Sequence, residues 1–408
     1  MATRVKSLAN PALIKWSRET AGFTLAQASE RLGIDETRLT AWEDPASEDA
    51  PSIPQLRKLA GLFKRPLAVF YLREVPARQF QVLRDLRRLP GTGPRQYSPA
   101  VQLEIRAANE RRELALELAA DLEEEPPKFT LSAQINEDPE QVGTRIRTAL
   151  GITTETQLTW RDNDGRAGFN GWRGRIEETG VLVFQTTRFT SDEASGFAIS
   201  ADPLPVIAVN RNDALTRRTF SLAHELAHLM IHVSGVSDLE TDENRPPEDQ
   251  RIEVFCNRVA AAALIPRDTL LAEQRVVERG AKSAAWTDNE VRELARRFNV
   301  SRETVLRRLL TFDRTTDAFY AQKRAQYIAE YLANRARQKE LAEGAEIKRN
   351  MPQETVSNFG RPFVRMLLDN YFQDRMTLSE ASGYLGLKVK HFPKLAQAVG
   401  IRERPWQR

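Results

Sequence analysis

The stretch Thr219-Phe-Ser-Leu-Ala-His-Glu-Leu-Ala-His-Leu-Met-Ile-His232 decides how the middle of this chain is read. Residues four apart share a helix face, so His224 and His228 can turn both imidazoles toward one ion while Glu225 projects beside it. That is the physical content of the pattern H-E-x-x-H: two zinc ligands and a carboxylate placed to take a proton from water. Phe220, Leu222, Ala223, Leu226 and Leu229 supply the apolar face that buries such a helix. The chain has only four histidines, and three of them fall in this one stretch.

A catalytic zinc needs a third protein ligand and one open position. The extension that would supply a third histidine is missing, because Ile231 stands where a glycine is needed and Ser234 where the histidine belongs. A carboxylate from a following helix is the other solution, and Glu253, 25 residues beyond His228, is the best placed. Asn257 lies one turn later on the same face, where it could accept a ring N–H from a ligating histidine. Asp242, Glu243, Glu248 and Asp249 sit in a polar, proline-containing stretch and are weaker candidates. His232 continues the four-residue spacing but falls a further turn away, which suits a supporting or helix-end role better than ligation. Cys256 points to another face and reads as a small buried hydrophobe. In such a site zinc polarises the scissile carbonyl, and Glu225 moves a proton from water to the leaving amine. The run Val206 to Val209 reads as a strand before the metal helix, whose edge could hold an extended peptide.

Outward from this stretch the chain reads as multidomain and mostly α. Residues 1–75 outline an N-terminal helix-turn-helix bundle. Apolar residues recur at helical spacing in Leu13, Trp16 and Ala21, then in Leu25, Ala28 and Leu32. Thr24 is placed to cap the second helix, Gly33 to end it and Asp35 to start a third running to Trp42. Residues 76–130 read as a helical connector. It holds the basic cluster Arg84-Asp-Leu-Arg-Arg88, the loop Pro90-Gly-Thr-Gly-Pro94 and a solvated acidic end, Glu123-Glu-Glu125. Residues 131–275 read as a central α+β domain, expected from its HExxH helix to be zincin-like and a peptidase. Its strands are expected in 180–185, 195–200 and 205–209, before helices over about 214–233 and 248–264. Residues 276–345 and 346–408 read as two further helical regions. Each has a stretch of helix, turn, helix character, at 291–305 and 378–387.

These residues resemble the ImmA/IrrE family of zinc metallopeptidases. The HExxH helix led by Phe220 is similar to that family's metal helix. Glu253-Val-Phe-Cys-Asn-Arg-Val-Ala-Ala-Ala-Ala-Leu-Ile-Pro266 is similar to its second motif, with Cys256 for alanine and Val259 for phenylalanine. Pro205-Val-Ile-Ala-Val-Asn-Arg-Asn212 is similar to the strand leading into the metal helix. The resemblance implies that His224 and His228 bind zinc, that Glu253 is the third ligand and that Glu225 is the general base. The N-terminal part is similar to Xre/Cro-type helix-turn-helix domains, and Arg65-Pro-Leu-Ala-Val-Phe-Tyr-Leu72 to members that fuse one to such a peptidase. The family implies cleavage of a DNA-binding repressor, and in some fused members a cognate toxin as partner.

Composition bounds the alternatives. With 408 residues, 41% hydrophobic and 28% charged, the chain is a globular protein of several domains. The net charge of +4 permits nucleic-acid contact without demanding it. A single cysteine excludes an internal disulfide framework and fits a reducing compartment. No secretory apolar stretch stands at the start and no long apolar run follows. The nearest, Val259 to Ile265, ends at Pro266, so a cytoplasmic protein without a membrane partner is expected. Double-stranded DNA is a partner that the N-terminal outline allows. Its second helix opens Asp35-Glu-Thr-Arg-Leu-Thr40, where two acids repel phosphate and leave Arg38 and Thr40 as readers. Gln27, at the start of the preceding helix, could position the DNA backbone. Docking onto another protein is the second use of the same outline. Two functions therefore stay open: an active zinc endopeptidase, and a non-catalytic transcription regulator or antitoxin that keeps a zinc site.

Overall fold

The computed structural model describes residues 6–76, 83–85, 97–160, 164–237, 247–342 and 349–401. The loop Pro90 to Pro94, most of the basic cluster after Asp85, and Asp242 and Glu243 lie outside the described residues. The five segments expected from the sequence are grouped into two compact units. One holds the described residues up to 85 and those from 97 to 110; the other holds those from 111 to 401.

The first unit is a bundle of short helices: α1 (Pro11–Thr20), α2 (Leu25–Leu32), α3 (Glu36–Glu43) and α4 (Ile53–Phe63), then a 3-10 turn, Leu67–Tyr71. A two-residue strand, β1 (Arg84–Asp85), and the start of α5 (Pro99–Asp121) complete it. Ile14, Ala28, Leu39, Trp42, Leu59 and Phe63 meet in its core. The punctuation follows the sequence closely. Thr24 and Gln27 form a capping box on α2, which stops because Gly33 turns left-handed with φ 66°. Arg18 clamps α1 to α3 through two buried bonds to the Glu43 carboxylate, at 2.7 and 2.9 Å.

The second unit contains three helices before any of its strands: α6 (Pro139–Ala149), α7 (Thr154–Thr159) and α8 (Arg166–Glu177). The sequence reading placed strands first and passed over all three. Glycines at 168, 171 and 174 weaken the helical signal of α8. Two of them are there for packing: a Cβ on Gly171 would lie 2.4 Å from the Trp160 ring, and one on Gly168 would lie 2.6 Å from Asn299.

The three expected strands form as β2 (Leu182–Thr186), β3 (Gly196–Ile199) and β4 (Val206–Asn210), and a fourth, β5 (Gly235–Ser237), was not foreseen. Within this unit they lie side by side in the order β5-β3-β4-β2. β4 pairs parallel with β2 and antiparallel with β3, and all five of its residues are buried. The expected peptide-binding edge at Val206 to Val209 is therefore corrected, since both sides of that strand are already hydrogen-bonded. A run apolar on both faces is what a central strand needs.

Behind the sheet lie α9 (Leu215–Met230) and α10 (Pro247–Leu264). After them come α11 (Arg267–Leu271), α12 (Gln274–Arg279), α13 (Asp288–Phe298), α14 (Arg302–Thr311) and α15 (Asp317–Ala342). Val291, Phe298, Leu306 and Tyr327 from this region share one apolar core with Trp172, Val209, Leu226 and Val259. The chain ends in α16 (Met351–Phe359), α17 (Arg361–Phe372), α18 (Leu378–Leu385), a 3-10 turn at Val389–His391 and α19 (Phe392–Ala398). α16 and α17 cover β2 at the end of the sheet. Gln185 donates to Ser357 O at 2.7 Å, and the Phe184 and Phe363 rings meet edge-on at 5.8 Å. No described helix is long and apolar enough to cross a membrane.

α10 is held against α6 at very close range. A Cβ on Gly143 would come within 2.7 Å of Ala262 Cβ and 2.8 Å of Ala263 N. Gly143→Ala should therefore lower unfolding stability by about 1–3 kcal/mol through overpacking, read from urea denaturation. An unchanged midpoint would show that the helices can part freely at this crossing.

Candidate metal centre

The turn into α9 is built by Asn210, which is fully buried at the end of β4. Its side-chain amide donates to Ala194 O at 3.0 Å and Phe189 O at 3.2 Å, while its Oδ1 accepts from Asn212 N at 2.9 Å. This Asx turn sets the direction of the helix that follows. Along α9 every residue from Ser221 to Met230 is buried, including three ionisable ones, His224, Glu225 and His228. α10 packs alongside and brings Glu253 to meet them.

The three side chains converge on one point. His224 Nε2 and His228 Nε2 are 3.0 Å apart. Glu253 Oε1 is 3.2 Å from His228 Nε2, and its Oε2 is 3.3 Å from His224 Nε2. Ligands about 2.05 Å from a tetrahedral ion sit roughly 3.3 Å from one another, so the cluster has the spacing of three corners of a zinc tetrahedron. Among the described residues this is the one group of three or more such side chains able to hold a metal ion. The donor set of two imidazoles and a carboxylate suits zinc. Burial pushes the Glu253 carboxyl up, but the facing imidazoles of His224 and His228 outweigh it and hold the group well below the usual carboxylate range.

Glu225 lies beside the cluster with no exposed surface. Its carboxylate rests over β3, where a Cβ on Gly196 would be 3.1 Å from Glu225 Oε1 and 2.7 Å from Ala208 O. Gly196 is a site residue that sequence reading missed. Its stretch was taken only as a strand, and the need for a missing side chain appears only when α9 lies across the sheet. Cys256 is fully buried, as expected for a packing residue, and burial together with the charges of Glu253 and Glu225 pushes its thiol up.

Of the two supporting residues, His232 takes the helix-end role among those expected for it, and the role expected of Asn257 is corrected. α9 ends at Met230, one turn before the expected limit. His232 then lies beyond the helix in a left-handed conformation, φ 56°, with its side chain exposed. It marks the helix end and does not continue the His224–His228 face. Asn257 is only half-buried and makes no hydrogen bond to His224 Nδ1; it lines a neighbouring cavity instead.

The N-terminal candidates lie apart from this cluster in sequence and are already engaged. Gln27 Oε1 accepts from Thr24 N at 3.1 Å, so its amide closes the capping box. Arg38 lies 3.6 Å from Asp49 and stacks over Trp42 at 5.3 Å, and the Thr40 hydroxyl donates to Glu36 O at 2.9 Å.

Zinc titration against a chromophoric chelator checks the ligand set. His224→Ala and Glu253→Ala should each weaken zinc binding by more than the about 10–100-fold that loss of one supporting hydrogen bond costs. Asn257→Ala should bind zinc as wild type does. A tenfold loss in that variant would restore Asn257 as a support of the ligands.

No curated protein matches the chain. Residues 176–310, from the end of α8 through α14 and including His224, Glu225, His228 and Glu253, match the family model described as the IrrE N-terminal-like domain, Peptidase_M78.

Proposed function

We propose that this chain is a zinc-dependent endopeptidase that cleaves a protein regulator, with a DNA-binding repressor or a cognate toxin as the substrate class. The observation that carries the reading is the convergence of His224, His228 and Glu253 with Glu225 buried beside them, inside the stretch that matches the Peptidase_M78 model. A metal site alone needs no such glutamate, because Glu225 is not one of the converging ligands.

Bound by these three side chains, zinc would supply Lewis acidity toward the scissile carbonyl and make water a nucleophile near neutral pH. Glu225 holds the proton that water gives up as its oxygen adds to the carbonyl carbon. It then delivers that proton to the amine nitrogen as the C–N bond breaks, so no net proton is needed. Its seat over Gly196 fixes the carboxylate from below, and the α9 backbone fixes it next to His224. Burial of the whole group excludes water other than the reactant and strengthens the interactions within.

The first unit fits a coupling role. The α2–Gly33–α3 outline would bring the peptidase to DNA or to a docking partner, with Arg38 and Thr40 on α3 turning from their present contacts with Asp49 and Glu36 to meet it. The one cysteine, Cys256, is free and buried, in keeping with action in the reducing cytoplasm.

Co-expression of the chain with candidate repressors and toxins, read by partner fragmentation, tests this. Glu225→Gln should keep zinc and lose cleavage by about 10²–10⁴-fold. Gly196→Ala, which crowds both the Ala208 carbonyl of β4 and the Glu225 carboxylate, should keep zinc and lose about a hundredfold. Chelation should abolish cleavage by the wild type and added zinc should restore it. If wild type and Glu225→Gln both hold zinc and bind a partner but neither cuts, the chain is a non-catalytic regulator.

A further inference from the structure

The stretch at 291–305, of helix, turn, helix character, and the end of α14 after it are rich in arginine. In the structure these arginines divide into two sets. Arg297 is tied to Glu273 at 2.5 Å, and buried Arg308 binds Glu140 and Ile265 O, so these two serve the fold. Arg296, Arg302 and Arg307 instead line a cavity of about 560 Å³ built from α9, α10, α13, α14 and α15. That volume lies within the range that holds a small ligand or a few side chains of a peptide.

The cavity is cationic. Arg217, Arg292, Arg296, Arg302, Arg307 and Arg324 line it, against Asp164, Asp192 and Glu303. Some of this charge is offset internally. Arg217 pairs with buried Asp213 at 3.6 Å and Arg302 with Glu330 at 2.6 Å, while Arg307 and Arg324 share Glu303 at 3.7 and 3.8 Å. Arg292 and Arg296, one turn apart on α13 and both exposed, carry no ion pair among the described residues. α15 adds an apolar stretch to the lining besides Arg324. Ile328 and Leu332 are 46% and 54% exposed there beside Tyr331, although each is large enough to be buried. Two polar side chains in the lining are more than nine-tenths buried and have an atom without a hydrogen-bond partner, Ser191 Oγ and Asn299 Nδ2.

Position connects the cavity to the chemistry. The metal ligands do not line it, but Phe220, one turn before His224, and Asn257, one turn after Glu253, both do. One helical turn is about 5.4 Å, so a chain held in the cavity lies within a few residues of the bond presented to the cluster.

We propose that this arginine- and tyrosine-lined cavity binds an acidic, apolar segment of the substrate polypeptide next to the scissile bond. The assignment rests on the peptidase reading for what the segment leads to. Carboxylates of the segment pair with Arg292 and Arg296, whose forked guanidinium donors match a carboxylate bidentately. Its aliphatic side chains cover Ile328 and Leu332.

The test is a binding measurement that needs no cleavage. Full-length zinc-loaded protein carrying Glu225→Gln is titrated into a short fluorescein-labelled peptide of alternating glutamate and leucine, and into its lysine–leucine counterpart. The acidic peptide should bind, more weakly as salt rises, and the basic one should not. Adding Arg292→Glu and Arg296→Glu should weaken the acidic peptide by about tenfold or more, with zinc content and unfolding midpoint unchanged. Leu332→Ser should weaken it without altering the salt dependence. Equal binding of both peptides, or acidic binding indifferent to the arginine reversals, overturns the proposal. So does binding of inorganic pyrophosphate in the cavity without any peptide binding, which would make it a small-anion site. Retained, arginine-dependent peptide binding supports the assignment even if the wild type cuts nothing, so this test and that of the peptidase reading fail separately.

Discussion

The meeting of α9 and α10 is the constraint on which the second unit depends. It forces two imidazoles and a carboxylate into a space where their nearest atoms are 3.0–3.3 Å apart and almost no surface reaches water. Taking such groups out of water costs several kcal/mol for each charge unless a counter-charge or a metal compensates. The surrounding packing supplies the rigidity for this. The run of four alanines at 260–263 presents little bulk on α10, and Gly143 lets α6 close on it from the other side. The sheet serves the same end, because β4 delivers the chain into α9 through Asn210 and β3 leaves room for Glu225 at Gly196.

The helices after the metal site do two different jobs. α16 and α17 close the end of the sheet at β2, where unpaired backbone groups would otherwise invite another strand. Arg211 on the turn after β4 ties into this cover through Glu354 and Asn358, both at 2.9 Å. The C-terminal helices are thus a structural extension of the unit. α13 to α15 bury one face in the common core and leave an arginine-rich and partly apolar face turned to the cavity beside the metal helices. A helix-turn-helix outline therefore need not mean a nucleic-acid reader. Here Asn299 makes the left-handed turn, with φ 56°, and the second helix faces inward on the second unit.

What could be read from sequence was what depends on short-range periodicity. His224, Glu225 and His228 follow from helix geometry alone. Glu253 needed only one further helix of the right polarity, and the structure brings it to the histidines. The ends of α2 were legible because a capping box and a left-handed glycine act within four residues. The misses all involve contacts made across the fold. α8 was hidden because its glycines lower helix propensity while serving close packing with Trp160 and Asn299. β4 was read as an available edge because nothing local tells a strand how many neighbours it has. The cavity joins residues from 164 to 332, a separation over which no pattern of single residues carries a signal.

X-ray absorption at the zinc edge of the metal-loaded protein addresses the centre most directly. Two imidazoles, one carboxylate and one open position predict a first shell of nitrogen and oxygen only, at about 2.0–2.1 Å, with imidazole outer-shell scattering from two rings. That scattering should fall by half in His228→Ala. A sulfur scatterer near about 2.3 Å would place Cys256 on the metal, and a spectrum unchanged by His228→Ala would place the ion elsewhere. Either result would contradict a centre built from His224, His228 and Glu253.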